Sequence, residues 1–439
     1  MTQSDIVASV GMSRKWDAKE AGRQVAENTL EQLTGAPKFF LLFSTIHYID
    51  HGGFEEFLEG VWDVLPSGTP LIGGTVAGFM NNYGSYTRGA TALAVSYDHL
   101  DVAIGVGKNT KRNPLKAAHQ CATMVNDSLK HTSFKNKFLL NFISGPETMK
   151  IPGQGYTNII DSGFMSKFVN LVFGMSQYIL QKGPGREDEI FDEITKVLPD
   201  HHMILGASFS TYKGGSNYQF FNDTILTNAI VGLGLAADLD LAVRTTHGMR
   251  KTNIDFEITK LSRNKHIIQK INGKPAMTEL MSKLNWPEGF LNQKTMYNII
   301  PYYPISLRRN GRDVPVVMPG ILKDSIITPC VIEKGKVSIL TVSGRDLVAA
   351  AEDNLTFFKD ITPKFGIFSS CLTILQTLGY KTNILRSRIE DFFKDNPFLL
   401  IWCAGEGTYS PGSELTYANM SFNTAIFGNK QQDFHESCF

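Results

Sequence analysis

The sequence predicts an α/β protein, a mixed multi-layer sandwich of sheets flanked by helices, built from repeated strand–helix–strand units and closed into two tightly packed halves. Three observations predict it. A unit of short apolar strand, helix, second strand with a small-residue turn, then further strand, is written three times. Apolar residues make up 42% and charged residues 19% of the 439, the balance of a globular chain with several cores. Finally, 29 Phe against 4 Trp supply aromatic material suited to strands.

Copy one runs through Phe39 to Phe43, a helix from Glu55 to Leu65, the strand Leu71 to Thr75, and a pair, Thr91 to Ser96 and Val102 to Val106. Copy two repeats this with Phe138 to Ile143, Glu187 to Leu198, Ile204 to Ser208, and the pair Ala229 to Leu235 and Leu239 to Val243. Copy three has Phe365 to Ser369, Leu385 to Phe393, Leu400 to Glu406, and one strand, Ser421 to Phe427. Two sheets are expected to hold these strands. Each second strand ends in small residues, Gly73-Gly74-Thr75, Gly206-Ala207-Ser208 and Ala404-Gly405-Glu406. Such turns let backbone N–H groups face a cleft at the carboxyl ends of strands, where ligands bind in open sheets; equally, they let layers pack closely.

The remaining elements follow in order. Ile6 to Val10 reads as a strand, and Asp17 opens a helix with Ala21, Val25, Ala26, Leu30 and Leu33 on one face. Asn113-Pro114 starts a helix to Leu129. A Gly-rich loop, Gly145 to Gly155, precedes an apolar helix from Gly163 to Leu180 that is expected to be buried or to act as a lid. Ile254 to Ile271 forms two strands about Arg263-Asn264-Lys265, and Pro275 to Leu284 a helix. Glu333 to Lys336 reads as the turn of a hairpin between Cys330 to Ile332 and Val337 to Val342, before a helix from Arg345 to Lys359.

Several function classes are excluded as expectations. The net charge of +1 and the absence of a dense Lys/Arg run predict no nucleic-acid partner and no membrane surface. Met1 to Gly11 lacks the pattern of a secretion signal, no eighteen apolar residues are consecutive, and a cytoplasmic protein is expected. Cys121, Cys330, Cys371, Cys403 and Cys438 are scattered without CxxC spacing, so neither disulfides nor a zinc ribbon is expected. No phosphate-binding loop or GxGxxG is present.

The order of these pieces resembles the FIST family of sensory proteins across Val7 to Phe427. The resemblance rests on the early strand and glycine before the Asp17 to Gly22 helix, Ile72-Gly73-Gly74-Thr75-Val76-Ala77-Gly78, and His247-Gly248. Farther on it rests on Ile271-Asn272-Gly273-Lys274-Pro275-Ala276, Tyr303-Pro304, Glu333-Lys334-Gly335, Gly405-Glu406 and Asn419 to Thr424. Copy two departs from the family's pattern at Ala207-Ser208, and the Gly-Glu turn departs at Gly407-Thr408. The resemblance implies an N-terminal domain at 1–248, a C-terminal domain at 249–428 and a tail at 429–439. It also implies a cytoplasmic sensor, not an enzyme, that binds an amino acid or similar metabolite. With no kinase or cyclase segment in the sequence, its output is expected through a separate partner such as a histidine kinase or a cyclic-dinucleotide enzyme. Some members look like haem proteins that sense nitric oxide; haem on His247 is the alternative, and no other cofactor or metal is expected.

The candidate ligand contacts are Gly73, Gly74, Thr75, Gly206, Ser208, His247, Gly405, Glu406, Asn419 and Thr424. Glu406 follows an apolar strand beside glycines, where its carboxylate pairs with an ammonium group or caps a turn. Thr75 and Ser208 hold corresponding places as ligand donors or turn residues. Asn419, Asn423 and Thr424 interrupt an apolar strand and line either a polar pocket or an exposed face. His47 and His51 sit four apart in a loop, without the glutamate a zincin needs. A hydrolase using Cys403 or Ser208 as a strand-end nucleophile stands as a second alternative.

Overall fold

The computed structural model describes residues 5–430 apart from 148–149, 152–154, 157–158, 161–175, 212–214, 288, 291–298, 300–301, 310–311 and 414. The mixed α/β class holds, with the three copies each building a six-stranded sheet of the same order. Sheet one runs Val7–Ser13, Ala90–Ser96, Phe39–Ser44, Leu71–Thr75; only the last two are parallel, joined through the helix Gly53–Trp62. Sheet two repeats this as Leu100–Lys108, Ala229–Ala237, Asn136–Ile143, His202–Ala207, and sheet three as Asp240–Thr246, Phe422–Lys430, Ile361–Cys371, Phe398–Cys403.

The last two strands of each sheet come from another copy. After its second parallel strand each copy makes a hairpin that crosses to a neighbouring sheet. Gly78–Asn81 and Gly84–Tyr86 of copy one join sheet three. Gln219–Phe221 and Thr224–Leu226 of copy two join sheet one, and Glu406–Tyr409 and Thr416–Ala418 of copy three join sheet two. Three sheets thus exchange hairpins in a closed ring.

This topology corrects the expected strand pairs. Val102 to Val106 and Leu239 to Val243 do not return to their own sheets; they open the sheets of copies two and three. Alternation alone does not tell a hairpin partner from the first strand of the next sheet. Nor do two sheets suffice, because a fourth, of nine strands, is inserted between Asp240–Thr246 and the helix Gly344–Thr356. It carries the strands from Arg250–Leu261 to Gly335–Thr341 together with Ile159–Ile160. The expected hairpin at Glu333 to Lys336 does not form. Cys330 to Ile332 is irregular, with Ile332 N–H donating to Lys265 O at 3.0 Å, and the strand begins only at Gly335. The expected helix from Gly163 lies outside the described residues except for its end, where Ser176–Leu180 is a π-helical turn and Ile179 is exposed.

The core lies between the three sheets. Phe39, Leu41 and Phe43 of sheet one meet Phe138, Leu140 and Phe142 of sheet two and Phe365, Ile367 and Phe427 of sheet three. Phe365 stacks on Phe427 at 4.3 Å, and Phe43 meets Phe142 edge-on at 5.0 Å. The outer faces are covered by helices, Ala18–Leu30 and Gly53–Trp62 on sheet one, and Pro114–Leu129 and Glu187–Val197 on sheet two. With both faces covered, Phe39–Ser44 is buried at every residue, which is why it reads as an unbroken apolar run. The Asp17 carboxylate accepts from Glu20 N–H at 2.9 Å, a cap that contributes about 1 kcal/mol.

Candidate functional site

Parallel central strands point their carboxyl ends the same way, so the closed ring gathers the ends of all three copies. The backbone joins them there. Ala77 N–H donates to Trp402 O, Phe209 N–H to Thr75 O, and Ala207 N–H to Gly405 O, each at 2.9 Å. Beyond these contacts lies a cavity of about 720 Å³. Copy one lines it with Thr45 to His47, Val76, Ala77 and the segment about Arg88; copy two with Phe209 to Thr211; copy three with Leu372, Leu375, Gln376, Gly379, Thr382 and Asn383.

Two side chains of the lining each carry a buried nitrogen with unused hydrogen-bonding capacity. Arg88 Nη2 donates to Arg14 O at 3.2 Å and its guanidinium lies 3.9 Å from the centre of the Trp16 ring. Its Nη1 is buried with no partner among the described residues. His47 Nδ1 lies 2.7 Å from Thr45 Oγ1, while Nε2 is likewise buried and unpartnered. Burial, then the Arg88 and His51 charges, lower the His47 pKa to about 4, so the ring is neutral at pH 7.

None of the sequence-derived candidates lines this cavity; Thr75 and Ser208 stand in the wall behind it, adjoining the lining residues Val76 and Phe209. Gly73 and Gly74 serve close packing, since a Cβ would stand 1.7 Å from Leu42 O and 2.2 Å from Tyr218 O respectively. Thr75 clamps copy two: its N–H donates to Tyr218 O at 2.9 Å and its hydroxyl accepts Tyr218 N–H at 3.0 Å. Ser208 is saturated, donating to Asn217 Oδ1 at 2.6 Å and accepting from Gln219 Nε2 at 2.7 Å and Gly145 N–H at 3.2 Å. Gly206 pairs with Glu406 across the exchanged strands, and Gly405 faces the Tyr417 hydroxyl.

Glu406 is fully buried, with Cys403 Sγ 4.0 Å from Oε1 and Oε2 unpartnered. Burial pushes its carboxyl well above the usual range and raises the Cys403 and Cys371 thiols as well. Burial thus favours the uncharged form of all three groups. Asn419 is buried beside it in the chain's return, with neither amide atom partnered. Thr424 lies elsewhere, on the strand Phe422–Lys430 opposite Arg244 and Phe368. His247 stands where the chain leaves sheet three for the inserted sheet, with Nε2 3.1 Å from Asp313 O. It lines neither this cavity nor the second one described below.

Beside the Glu406 cluster lies a charged network. Glu147 pairs with Lys111 at 3.5 Å and with Lys182, and Glu187 is buried with its pKa raised to about 8. A second cavity of about 700 Å³ separates the helix Glu187–Val197 from the inserted sheet and mixes Asp188, Asp192 and Glu333 with Arg308, Lys334 and Lys336. Sequence reasoning missed Arg88 and Thr45 and set His47 aside as a loop residue. The only local signal was a lone arginine before Gly89, whose φ is +137°. Among the described residues no helix is long and apolar enough to cross a membrane, and no group of three or more metal-ligating side chains is present.

A family model described as FIST N domain matches residues 38–274, more than half of the chain. No curated protein matches the chain. Among solved structures, cyanuric acid hydrolase from A. caulinodans aligns over 97% of this chain and 100% of its own with 6% identity and a TM-score of 0.35. PurLQS from Thermotoga maritima aligns over 96% of this chain and 72% of its own with 11% identity and a TM-score of 0.20. Likeness at this level carries no argument about the chain.

Proposed function

The chain belongs to the FIST family of sensory domains, and we propose that it is a ligand sensor whose site is the cavity at the joined strand ends. The observation that carries this is the cavity's construction from all three copies. A small molecule seated there bridges segments held to one another by a few backbone hydrogen bonds, and so favours one packing of the three sheets over another. Output passes to a separate protein that reads the change in packing.

The wall residues Thr75, Ser208, Gly206, Gly405 and Glu406 support the reading as its rigid frame: Thr75 bonds Tyr218 of copy two, Gly206 pairs with Glu406 of copy three, Gly405 O accepts Ala207 N–H of copy two, and Ser208 is held within copy two. A hydrolytic role finds less support. Cys403 is buried with a raised thiol pKa, and the Ser208 hydroxyl bonds Asn217, Gln219 and Gly145, none of them basic.

A thermal-shift panel of amino acids, organic acids, sugars and amides tests the reading. A ligand at a hundred times its dissociation constant adds about 2.7 kcal/mol, a rise of several degrees in Tm. Stabilisation by one class, lost on filling the cavity through Ala77→Trp, is the expected outcome; a silent panel on folded protein counts against sensing at this site.

A further inference from the structure

We infer that the cavity at the strand ends takes a carboxylate anion with an apolar body and no ammonium group, for example a 2-oxo or 2-hydroxy acid in place of the amino acid of the same skeleton. The inference rests on the ligand-binding reading above and narrows it.

The charge of the lining is the first argument. Among the described residues, Arg88 is the only cation of the lining, and no aspartate or glutamate lines it. Arg88 makes no ion pair with any described carboxylate. A half-buried guanidinium without a counter-ion, with one nitrogen unpartnered, is a charge-assisted donor waiting for an anion.

The second argument is the proton on His47. Thr45 Oγ1 accepts Gly89 N–H at 3.1 Å, and of the two acceptors within reach of its own proton, Gly89 O at 3.3 Å and His47 Nδ1 at 2.7 Å, the nearer takes it. That leaves the proton of the neutral ring on Nε2, the unpartnered nitrogen, which then donates. Two unsatisfied donors, one charged and one neutral, suit the two oxygens of a carboxylate.

An ammonium group finds no such reception. It gives up hydration for a cavity that holds a cation and no described carboxylate, whereas Val76, Leu372 and Leu375 offer an apolar body an apolar wall. The buried Glu406 does not supply the missing charge, because it is not part of the lining and burial favours its neutral form.

The test compares 4-methyl-2-oxopentanoate, leucine and 4-methylpentanamide, three probes of one skeleton, by thermal shift and calorimetry on the full chain. The expected result is stabilisation by the oxo acid alone, with binding weakened on the order of ten- to a hundred-fold in Arg88→Gln and partly kept in Arg88→Lys. Each shift is read against the variant's own unliganded Tm, so a loss of stability in Arg88→Gln does not mask the answer. Leucine binding as well as the oxo acid overturns the inference and leaves ligand sensing intact, as does a hit without a carboxylate in the wider panel. Undiminished binding of the oxo acid to Arg88→Gln overturns it too, since the anion then sits elsewhere. If neither these probes nor the wider panel binds, both the inference and the sensing role fall.

Discussion

Glu187 shows how a single buried carboxyl sets a pH dependence. It is fully enclosed near Lys111, with Tyr417 close by, and burial raises its pKa from 4.5 to about 8. A carboxyl shifted upward on folding contributes stability that is complete below its unfolded pKa and is lost as pH rises through the folded value. The window therefore runs from pH 4.5 to about 8. Glu187→Gln, which stays neutral throughout, is expected to match the parent near pH 5 and to exceed it in urea midpoint at pH 9. An equal difference at both pH values would show that the side chain is not protonated in the folded protein. At this scale the sequence was silent, because a glutamate in the first turn of a helix reads as an ordinary macrodipole partner until its surroundings are known.

Among the elements, the helix pair over sheet one depends on two glycines. A Cβ on Gly22 would stand 2.0 Å from Phe57 O, and one on Gly60 2.0 Å from Lys19 O, so Ala18–Leu30 and Gly53–Trp62 cross with their backbones in contact. Gly60→Ala gains helix propensity but forces the pair apart, and overpacking of this kind costs about 1–3 kcal/mol. A lowered urea midpoint is the expected outcome; a raised one would mean that the helices separate without cost. The elements themselves were legible. Asp17, Asn113-Pro114 and the apolar stripe of Glu187–Val197 mark helices in sequence because caps and periodicity are local. The hairpin misread at Cys330 to Ile332 failed because Lys265 O, a distant acceptor, takes the Ile332 N–H that a ladder would have used.

At the scale of the whole molecule, exchange of hairpins makes the copies interdependent. Sheet one is completed by Gln219–Leu226 from copy two, and the hairpin Gly78–Tyr86 leaves it for sheet three. A fragment of residues 5–97 thus lacks two strands and exposes an edge at Leu71–Thr75. It is expected to stay unfolded or to aggregate, while the ring of three sheets in the full chain unfolds in one transition. Circular dichroism of the fragment and guanidinium unfolding of the full chain check this; a folded, monomeric fragment would refute the interdependence.

Self-similarity, apolar runs and small-residue turns are properties of neighbouring residues, and from them the sequence alone determined the three copies, the α/β class and most helices. Which sheet each strand joins, and that Arg88, His47 and Gln376 face one space, only the tertiary structure decided. Pairing between distant strands is chosen by the burial of whole faces, and a cavity is a gap among residues far apart in the chain. Neither leaves a trace in local spacing.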